Sequence, residues 1–309
     1  MMRSISLLSL LVAVSPVAWS QAKIVAVGNA ASFEPGLPYG GALATAYVSG
    51  LAGLKPGTYI APSLQPLPYS LGGVRVAVNG ALAPLLAVVV PSDPAANVQV
   101  NFQVPSERNP SAEGFTNNSN FMINEATWPT VAQSSLPVLT GWGGFFAGTD
   151  GYAVAMHASD SSPVTQQHPA HPGESIIVYA DDFFLTWPPP PIGIAPPRPD
   201  LFQLFNVSPR IPGYLYLQAY PQPPGLCQGV PGTHCGGVTN TPALQVTFEG
   251  LASGAVGVEE IHFVVPANQQ PGKWPLFFNR GSCPDGSGSP GTCNTDAATS
   301  SPYVLLPVD

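Results

Sequence analysis

Short stretches along the chain alternate hydrophobic and polar residues, and clusters of glycine, proline, asparagine and serine separate them. A period of two predicts β-strands that bury one face. No segment with helical period is long enough to be convincing, so we expect an all-β protein. A proline-rich loop at 56–68 should stay out of the centre of a sheet, because proline lacks the backbone N–H. A polar turn is expected at 117–120. The predicted strands lie at 24–27, 43–48, 74–78, 85–90, 98–104, 152–156, 176–179, 244–250 and 261–265.

Three landmarks occur twice in the same order along the sequence. A Pro-Gly step precedes an apolar strand at Pro35-Gly36 and again at Pro172-Gly173. An alternating strand closed by glycine follows, and then a strand that ends in proline. This order predicts two immunoglobulin-like β-sandwiches in tandem. The glycine-closed strands are 74–80 and 244–250, and the proline-ended strands are 100–105 and 261–266.

The repeat divides the chain into a first sandwich over 23–139 and a second over 140–309. The second copy is longer between its first two landmarks, which predicts an insertion at about 183–240. This segment carries Trp187 followed by four prolines, and it is the least repeat-like part of the chain. It is either a binding site, since loops on a scaffold often carry specificity, or an extra hairpin that covers a sheet edge.

Residues 1–22 have the pattern of a secretory signal peptide. Arg3 supplies the positive start, residues 5–17 the apolar stretch, and Ser20-Gln21-Ala22 a small-x-small cleavage site. The apolar stretch is shorter than the roughly 20 residues that span a bilayer. We therefore expect a protein that is secreted or held at the cell surface, with no membrane span after the signal is removed.

The composition of the chain limits the classes of partner that it can bind. The chain has 9 Lys and Arg residues against 17 Asp and Glu residues and a formal charge of −8, so nucleic acid is a poor partner. Charged residues make up 8% of the chain, compared with about 25% in ordinary soluble domains. The 38 prolines and 32 glycines occur in a chain that is 45% hydrophobic, which indicates turns between strands rather than disorder.

The four cysteines all lie in the second half of the chain. Four cysteines permit three pairings, and the sequence does not choose among them. Local spacing in an exported protein favours two short disulfide loops, one from Cys227 to Cys235 and one from Cys283 to Cys293. A zinc site would need closer cysteine pairs, so none is predicted.

Four segments together resemble an uncharacterised C-terminal domain family of secreted acidobacterial proteins, the Solibacter type. The segments are 27–36, 70–80, 100–105 and 168–174. The resemblance implies tandem IPT/TIG-like immunoglobulin-like domains and transfers no catalytic residue. The chain departs from the family in its proline-rich insertion, in its cysteine pairs and at 179–182, where relatives tend to have a glycine-rich turn.

Aspartates are candidate calcium ligands. Asp181 and Asp182 follow a predicted strand, and Asp150 or Asp160 could add oxygen ligands from a neighbouring loop. Adjacent aspartates point in different directions, however, and no calcium-loop spacing is present. We therefore assign no metal.

Histidines are candidate zinc ligands. His157, His168 and His171 could bind one ion, but two of them lie in a proline-containing loop that does not fix their rings on one side. We expect these histidines to be exposed to solvent. No cofactor is assigned.

The sequence carries no convergent set of nucleophile, base and acid. A Gly-x-Ser-x-Gly elbow is missing, and Glu259 and Glu260 are neighbours on a strand and so face opposite sides. The sequence favours a non-enzymatic structural or adhesive module that contacts an unknown extracellular protein or polysaccharide. The alternative is a carbohydrate-binding accessory protein, because aromatic rings can stack on sugars. The candidate aromatic residues are Trp187, Tyr214, Tyr216, Tyr220 and Trp274.

Overall fold

The computed structural model describes the chain from residue 22 to residue 309 with gaps. The described ranges are 22–51, 53–62, 65–105, 118–125, 130–137, 143–183, 185–187, 192–198, 203–205, 213–217, 244–280 and 301–309. Their regular structure consists of strands, with no helix, which confirms the all-β prediction. Within these ranges, no helix is therefore available that could cross a membrane.

Strands β1 to β9 build the first half of the molecule. They form a five-stranded sheet of order β1-β2-β7-β6-β3 and a four-stranded sheet of order β5-β4-β8-β9. Val74, Val76 and Val78 alternate with outward residues on β4 and pack with Val100 and Phe102 of β7 in one buried cluster. The strands are β1 (Lys23–Asn29), β2 (Leu43–Ser49), β3 (Gly57–Ile60), β4 (Val74–Val78), β5 (Ala81–Ala83), β6 (Leu85–Val90), β7 (Val98–Gln103), β8 (Asn118–Glu125) and β9 (Thr130–Pro137).

Strands β10 to β19 build the second half. One sheet has the order β10-β12-β17-β16-β14-β13, with β11 also paired to β12, and a three-stranded sheet has the order β15-β18-β19. Ile176 and Phe263 from the first of these sheets pack with Leu276 and Leu306 from the second. The strands are β10 (Gly144–Phe145), β11 (Ala155–His157), β12 (Ser175–Asp181), β13 (Leu185–Trp187), β14 (Gln203–Phe205), β15 (Gly213–Leu217), β16 (Gln245–Leu251), β17 (Glu259–Val264), β18 (Gly272–Arg280) and β19 (Val304–Val308).

The two halves repeat one strand order. The order β2-β7-β6-β3 in the first half matches β12-β17-β16-β14 in the second, and β4-β8-β9 matches β15-β18-β19. Two of the three sequence landmarks agree with this topology, since β2 pairs with β7 as β12 pairs with β17. The third match was wrong, because β4 belongs to the four-stranded sheet whereas β16 pairs with β17 as β6 pairs with β7. A short alternating strand closed by glycine fits many positions in a sandwich and does not identify one of them.

The prediction of an insertion at about 183–240 was wrong in part. It contains β14 and β15, which take the places of β3 and β4 and therefore belong to the repeated pattern. Strand β13 is the additional strand, and it pairs with β14 at the outer edge of its sheet. The β13–β14 hairpin therefore forms that outer edge, and the two interpretations of the segment, a binding site or an edge cover, stay predictions.

Other local predictions have mixed outcomes. Residues 118–120 begin strand β8, so the predicted polar turn was wrong there. The loop at 56–68 contains β3, which lies at the edge of its sheet as the prolines required. Among the described residues, no strand of 23–137 pairs with a strand of 144–308. Three predictions lie outside the described residues: the domain boundary at 139/140, residues 1–21 of the signal peptide and the four cysteines.

The turn between β4 and β5 shows why the sequence places glycine there. Asn79 and Gly80 have φ values of 50° and 85°, and Val78 pairs with Ala81 across them. A two-residue hairpin with positive φ at both positions matches the twist of the strands and favours Asn-Gly. A Cβ at Gly80 would meet no atom within 4 Å, so its only cost is the backbone conformation.

We expect Gly80→Val to lower the free energy of unfolding by about 1–2 kcal/mol, the cost of a left-handed conformation for a residue with a side chain. Gly80→Asn should cost less, because asparagine tolerates this conformation. Urea unfolding of the two variants beside the wild type measures the difference. Equal losses in both variants would contradict this explanation of the turn.

Candidate functional site

The candidate aromatic residues do not all lie in the same sheet. Trp187 lies in β13 at the outer edge of one sheet, whereas Tyr214 and Tyr216 lie at alternate positions of β15 in the other sheet of the second half. Tyr220 lies outside the described residues. Trp274 was a wrong candidate: it is buried in the core of the second half, and its indole N–H donates to the carbonyl of Gln270 at 2.7 Å.

Instead, the structure concentrates buried polar groups where the two halves meet, a region we call the seam. At its centre the Asn29 amide donates to Asp181 Oδ2 at 2.9 Å, and the Leu43 backbone N–H donates to Asp181 Oδ1 at 2.9 Å. Asn29 and Asp181 are both fully buried. The carboxylate at the end of β12 is therefore bound by the end of β1 and the start of β2.

The next residues continue this contact. Asp182 has a φ of 62°, so the chain turns sharply after β12. The Asp182 carboxylate accepts the Tyr39 N–H at 3.1 Å from the first half, while the Phe183 N–H donates to Glu259 Oε2 at 3.0 Å within the second half. The turn thus places Phe183 in the second core and Asp182 on the first half.

Three carboxylates lie close together in this buried region. Burial raises the pKa of Asp181 well above its usual range, and the neighbouring carboxylates of Asp182 and Glu259 raise this pKa further. The N–H donated by Leu43 acts in the opposite direction. Folding therefore raises the affinity of Asp181 for its proton.

A second set of contacts joins the halves along the seam. Gln103 is fully buried, and its side chain accepts the Gly193 N–H at 2.7 Å and donates to the Gly41 carbonyl at 2.8 Å. Beside it, Leu67 of the first half packs with Ala195 and Val256 of the second. The seam combines directional hydrogen bonds with a small apolar cluster, which fixes the relative orientation of the two halves.

Next to the Asn29–Asp181 contact lies a cleft of about 330 Å³. The turn after β1 forms one wall, and the β10 region with residues 147–151 and 302–304 forms the other. The walls approach closely beneath the cleft, because a Cβ on Gly144 would lie 2.5 Å from Ser32 Cβ. Only glycine at position 144 permits this contact. The cleft is therefore lined by both halves and depends on the seam.

Phe33 lines this cleft from a strained turn. The residue is 66% exposed, and its φ of 59° is a left-handed conformation that costs a non-glycine residue about 1–2 kcal/mol. The Asn29 side-chain oxygen holds the turn by accepting the N–H groups of Ala31 and Ser32, both at 2.8 Å. Thr149 and Asp150 lie on the opposite wall.

One of the three histidines is placed differently from the prediction, while His168 and His171 are exposed as expected. His157 was expected at the surface, but it is buried, and its ring lies 4.1 Å from that of His168 in a stacked arrangement. His157 Nδ1 is 2.6 Å from Glu174 Oε1, and the exposed His171 pairs with Asp309. The carboxylate partner, which the sequence pattern does not reveal, is what permits the burial of His157.

The candidate calcium ligands do not converge. Asp181 and Asp182 bind backbone and amide groups of the first half, whereas Asp150 and Asp160 lie in exposed turns where they accept the N–H groups of Tyr152 and Ser162. Among the described residues, no group of three or more His, Cys, Asp or Glu side chains is arranged to hold a metal ion.

Sequence reasoning missed Asn29, Phe33 and Gln103 as residues of interest. The only available signal at 29–33 was the turn pattern after the first strand, and it carried no information about a partner 152 positions away. Asp181 was singled out, but for a metal rather than for the seam.

No protein-family model matches the sequence, and no curated protein matches it. Among solved structures, the SGBP-B protein of the Bacteroides ovatus mixed-linkage glucan utilization locus, in complex with a mixed-linkage heptasaccharide, is 8% identical with a TM-score of 0.26 over 90% of this chain and 55% of that chain. A protein from Corynebacterium diphtheriae described as membrane anchored is 12% identical with a TM-score of 0.23 over 92% of this chain and 59% of that chain. This chain thus spans less than two thirds of either structure, and TM-scores this low support no argument about function.

The raised pKa of Asp181 has a definite effect on stability. Above the ordinary aspartate value of 3.8, the unfolded chain loses this proton while the folded protein keeps it. The contribution of Asp181 is therefore complete below that value and is lost as the pH rises toward its folded pKa. We expect Asp181→Asn to remove this part of the pH dependence, measured as the free energy of unfolding in urea from pH 4 upward.

The matched control is Asp93→Asn, in an exposed turn where Asp93 accepts the Ala95 N–H. This variant makes the same substitution at an exposed aspartate, so it separates the effect of burial from that of the Asp-to-Asn change itself. A pH profile for Asp181→Asn that runs parallel to that of the wild type would show that Asp181 does not carry the proton.

Proposed function

We propose that this chain is an exported, non-enzymatic module that acts by noncovalent contact at the cell surface or outside the cell, in a structural or adhesive role. The observation that carries the proposal is the seam. Its central contact, from Asn29 to Asp181, is fully buried and directional. Domains joined only by a linker move relative to one another by default, whereas this arrangement holds two sandwiches in one orientation.

A fixed orientation suits a structural or adhesive protein for an energetic reason. A surface built from both halves is already ordered before it meets a partner, so binding costs less conformational entropy. The low content of charged residues and the formal charge of −8 favour neutral polar partners over polyanions. The predicted signal peptide and disulfide loops agree with this role in an oxidising exported setting.

The proposal predicts retention without turnover. Fluorescently labelled protein, expressed from the full-length chain and purified as exported, is incubated with envelopes of the cells that produce it. We expect it to remain bound through washing and to hydrolyse nothing in a broad panel of ester, peptide and glycoside substrates. Asn29→Asp should weaken retention, because it keeps the oxygen that holds the turn but replaces the amide donor by a further carboxylate against Asp181.

Two results would refute the proposal. Complete loss of the protein on washing would exclude an adhesive role at that surface. Turnover that disappears when a single polar residue is replaced would make the protein an enzyme. Periodate treatment and protease treatment of the envelopes then separate a glycan partner from a protein partner.

A further inference from the structure

The cleft beside the seam has the features of a small-molecule site. Its volume of about 330 Å³ falls at the lower end of the range typical of such sites. The described lining combines an exposed aromatic ring, Phe33, with hydroxyl and carboxylate groups from Thr149 and Asp150 and with apolar surface from Phe145. A ligand that fits it has one apolar face and one edge of hydrogen-bonding groups.

Phe33 is the most informative of these residues. The other phenylalanines with described side chains are buried or half-buried, whereas Phe33 is 66% exposed and has a left-handed backbone conformation. Folding would be favoured by a glycine at this position, since glycine adopts that conformation without strain. Strain of this kind persists at binding sites when the surrounding structure enforces it.

The surrounding structure does enforce it here. The Asn29 carboxamide holds the backbone of the turn with its oxygen and binds Asp181 with its nitrogen, so the backbone that carries Phe33 is fixed on both sides of that carboxamide. An aromatic side chain on a backbone that is already ordered offers contact area at a lower entropic cost. The opposite wall is equally constrained, because the Gly148 N–H donates to the Tyr152 carbonyl at 2.9 Å in a closed turn.

The charge of the lining selects the ligand further. Asp150 is its one ionisable carboxylate, and the described lining residues include no lysine, arginine or histidine. An anionic ligand would meet repulsion without a compensating cation. Asp150 can instead accept hydrogen bonds from hydroxyl groups, and charge-assisted bonds of this kind are stronger than neutral ones.

We propose that this cleft binds a neutral saccharide, with one sugar ring stacked on Phe33 and its hydroxyl groups bonded to Asp150 and Thr149. A pyranose ring has an apolar face of C–H groups and a polar rim, which is the combination that the cleft presents. This inference rests on the proposed noncovalent role and names a ligand class for it. It differs from the alternative based on Trp187, Tyr214, Tyr216 and Tyr220, since the cleft includes none of those residues.

The test uses isothermal titration with a panel of neutral gluco-, manno- and xylo-oligosaccharides and with polygalacturonate as the anionic comparison. The wild-type protein should bind at least one neutral member and not the anionic one. Phe33→Ala should weaken that binding by about tenfold or more, as expected for an aromatic anchor. Asp150→Asn should weaken it by about three- to tenfold, because asparagine still accepts the Tyr152 N–H but carries no charge.

Two further variants separate binding from folding. Ile60→Ala removes another exposed apolar side chain of the first half, 72% exposed on β3, and should leave binding unchanged. Phe33→Gly relieves the backbone strain, so its urea midpoint should be at least as high as that of the wild type while binding is lost. A protein that is no less stable but no longer binds identifies the ring as part of the site.

The remaining outcomes overturn the inference. Unchanged saccharide binding in both Phe33 variants would refute the assignment of the cleft as the binding site. If saccharide binding is instead lost in a Trp187→Ala, Tyr214→Ala, Tyr216→Ala variant, the site lies in the 183–240 segment. A third outcome is that no panel member binds, while protease treatment of the envelopes abolishes retention and periodate treatment does not. That outcome would show a protein partner instead of a saccharide and would leave the proposed function intact. Loss of envelope retention, or turnover that a single polar substitution abolishes, would remove the proposed function too.

Discussion

The structure depends on one buried carboxylate that belongs to the second half and is bound by the first. Asp181 ends β12, where pairing with Gly144 of β10 fixes its backbone, and it accepts hydrogen bonds from Asn29 and Leu43 across the seam. Burying an unpaired carboxylate costs several kcal/mol, so each partner is needed for the folded state to tolerate it. Separation of the halves would expose these groups together with the apolar cluster around Leu67 and Val256. The orientation of the two sandwiches is thereby coupled to the satisfaction of a single polar group.

Asn29 connects the Asp181 carboxylate to the turn that lines the cleft. One end of the Asn29 carboxamide binds Asp181, and the other holds the N–H groups of Ala31 and Ser32. The turn that results carries Phe33 in a left-handed conformation at the edge of the cleft. The strain at Phe33 is therefore supported by contacts in the seam, and a change at Asp181 is expected to alter the cleft as well as the stability of the protein.

The sequence predicts nine of the nineteen described strands and misses the seam, for a physical reason. Period-two alternation reflects local burial, so strands such as β4 and β12 could be located from neighbouring residues alone. The match between 74–80 and 244–250 failed because alternation identifies a strand but not its sheet. Long-range partners leave no local pattern: Asp181 bonds to a residue 152 positions away, and His157 is buried because Glu174, 17 positions away, pairs with it. Phe33 looks in sequence like any aromatic residue in a turn, and only its backbone conformation distinguishes it.

Apolar contacts alone would join the halves less specifically. Apolar surfaces attract without strong directional preference, and the cluster of Leu67, Ala195 and Val256 is small enough to tolerate sliding. Hydrogen bonds from Asn29 and Leu43 to one carboxylate require a particular distance and angle, so an offset between the halves leaves buried groups unsatisfied. For this protein, the polar contact specifies the orientation and the apolar contact adds to its stability. A cleft with walls from both halves needs that specificity, because its shape changes with any displacement of one half against the other.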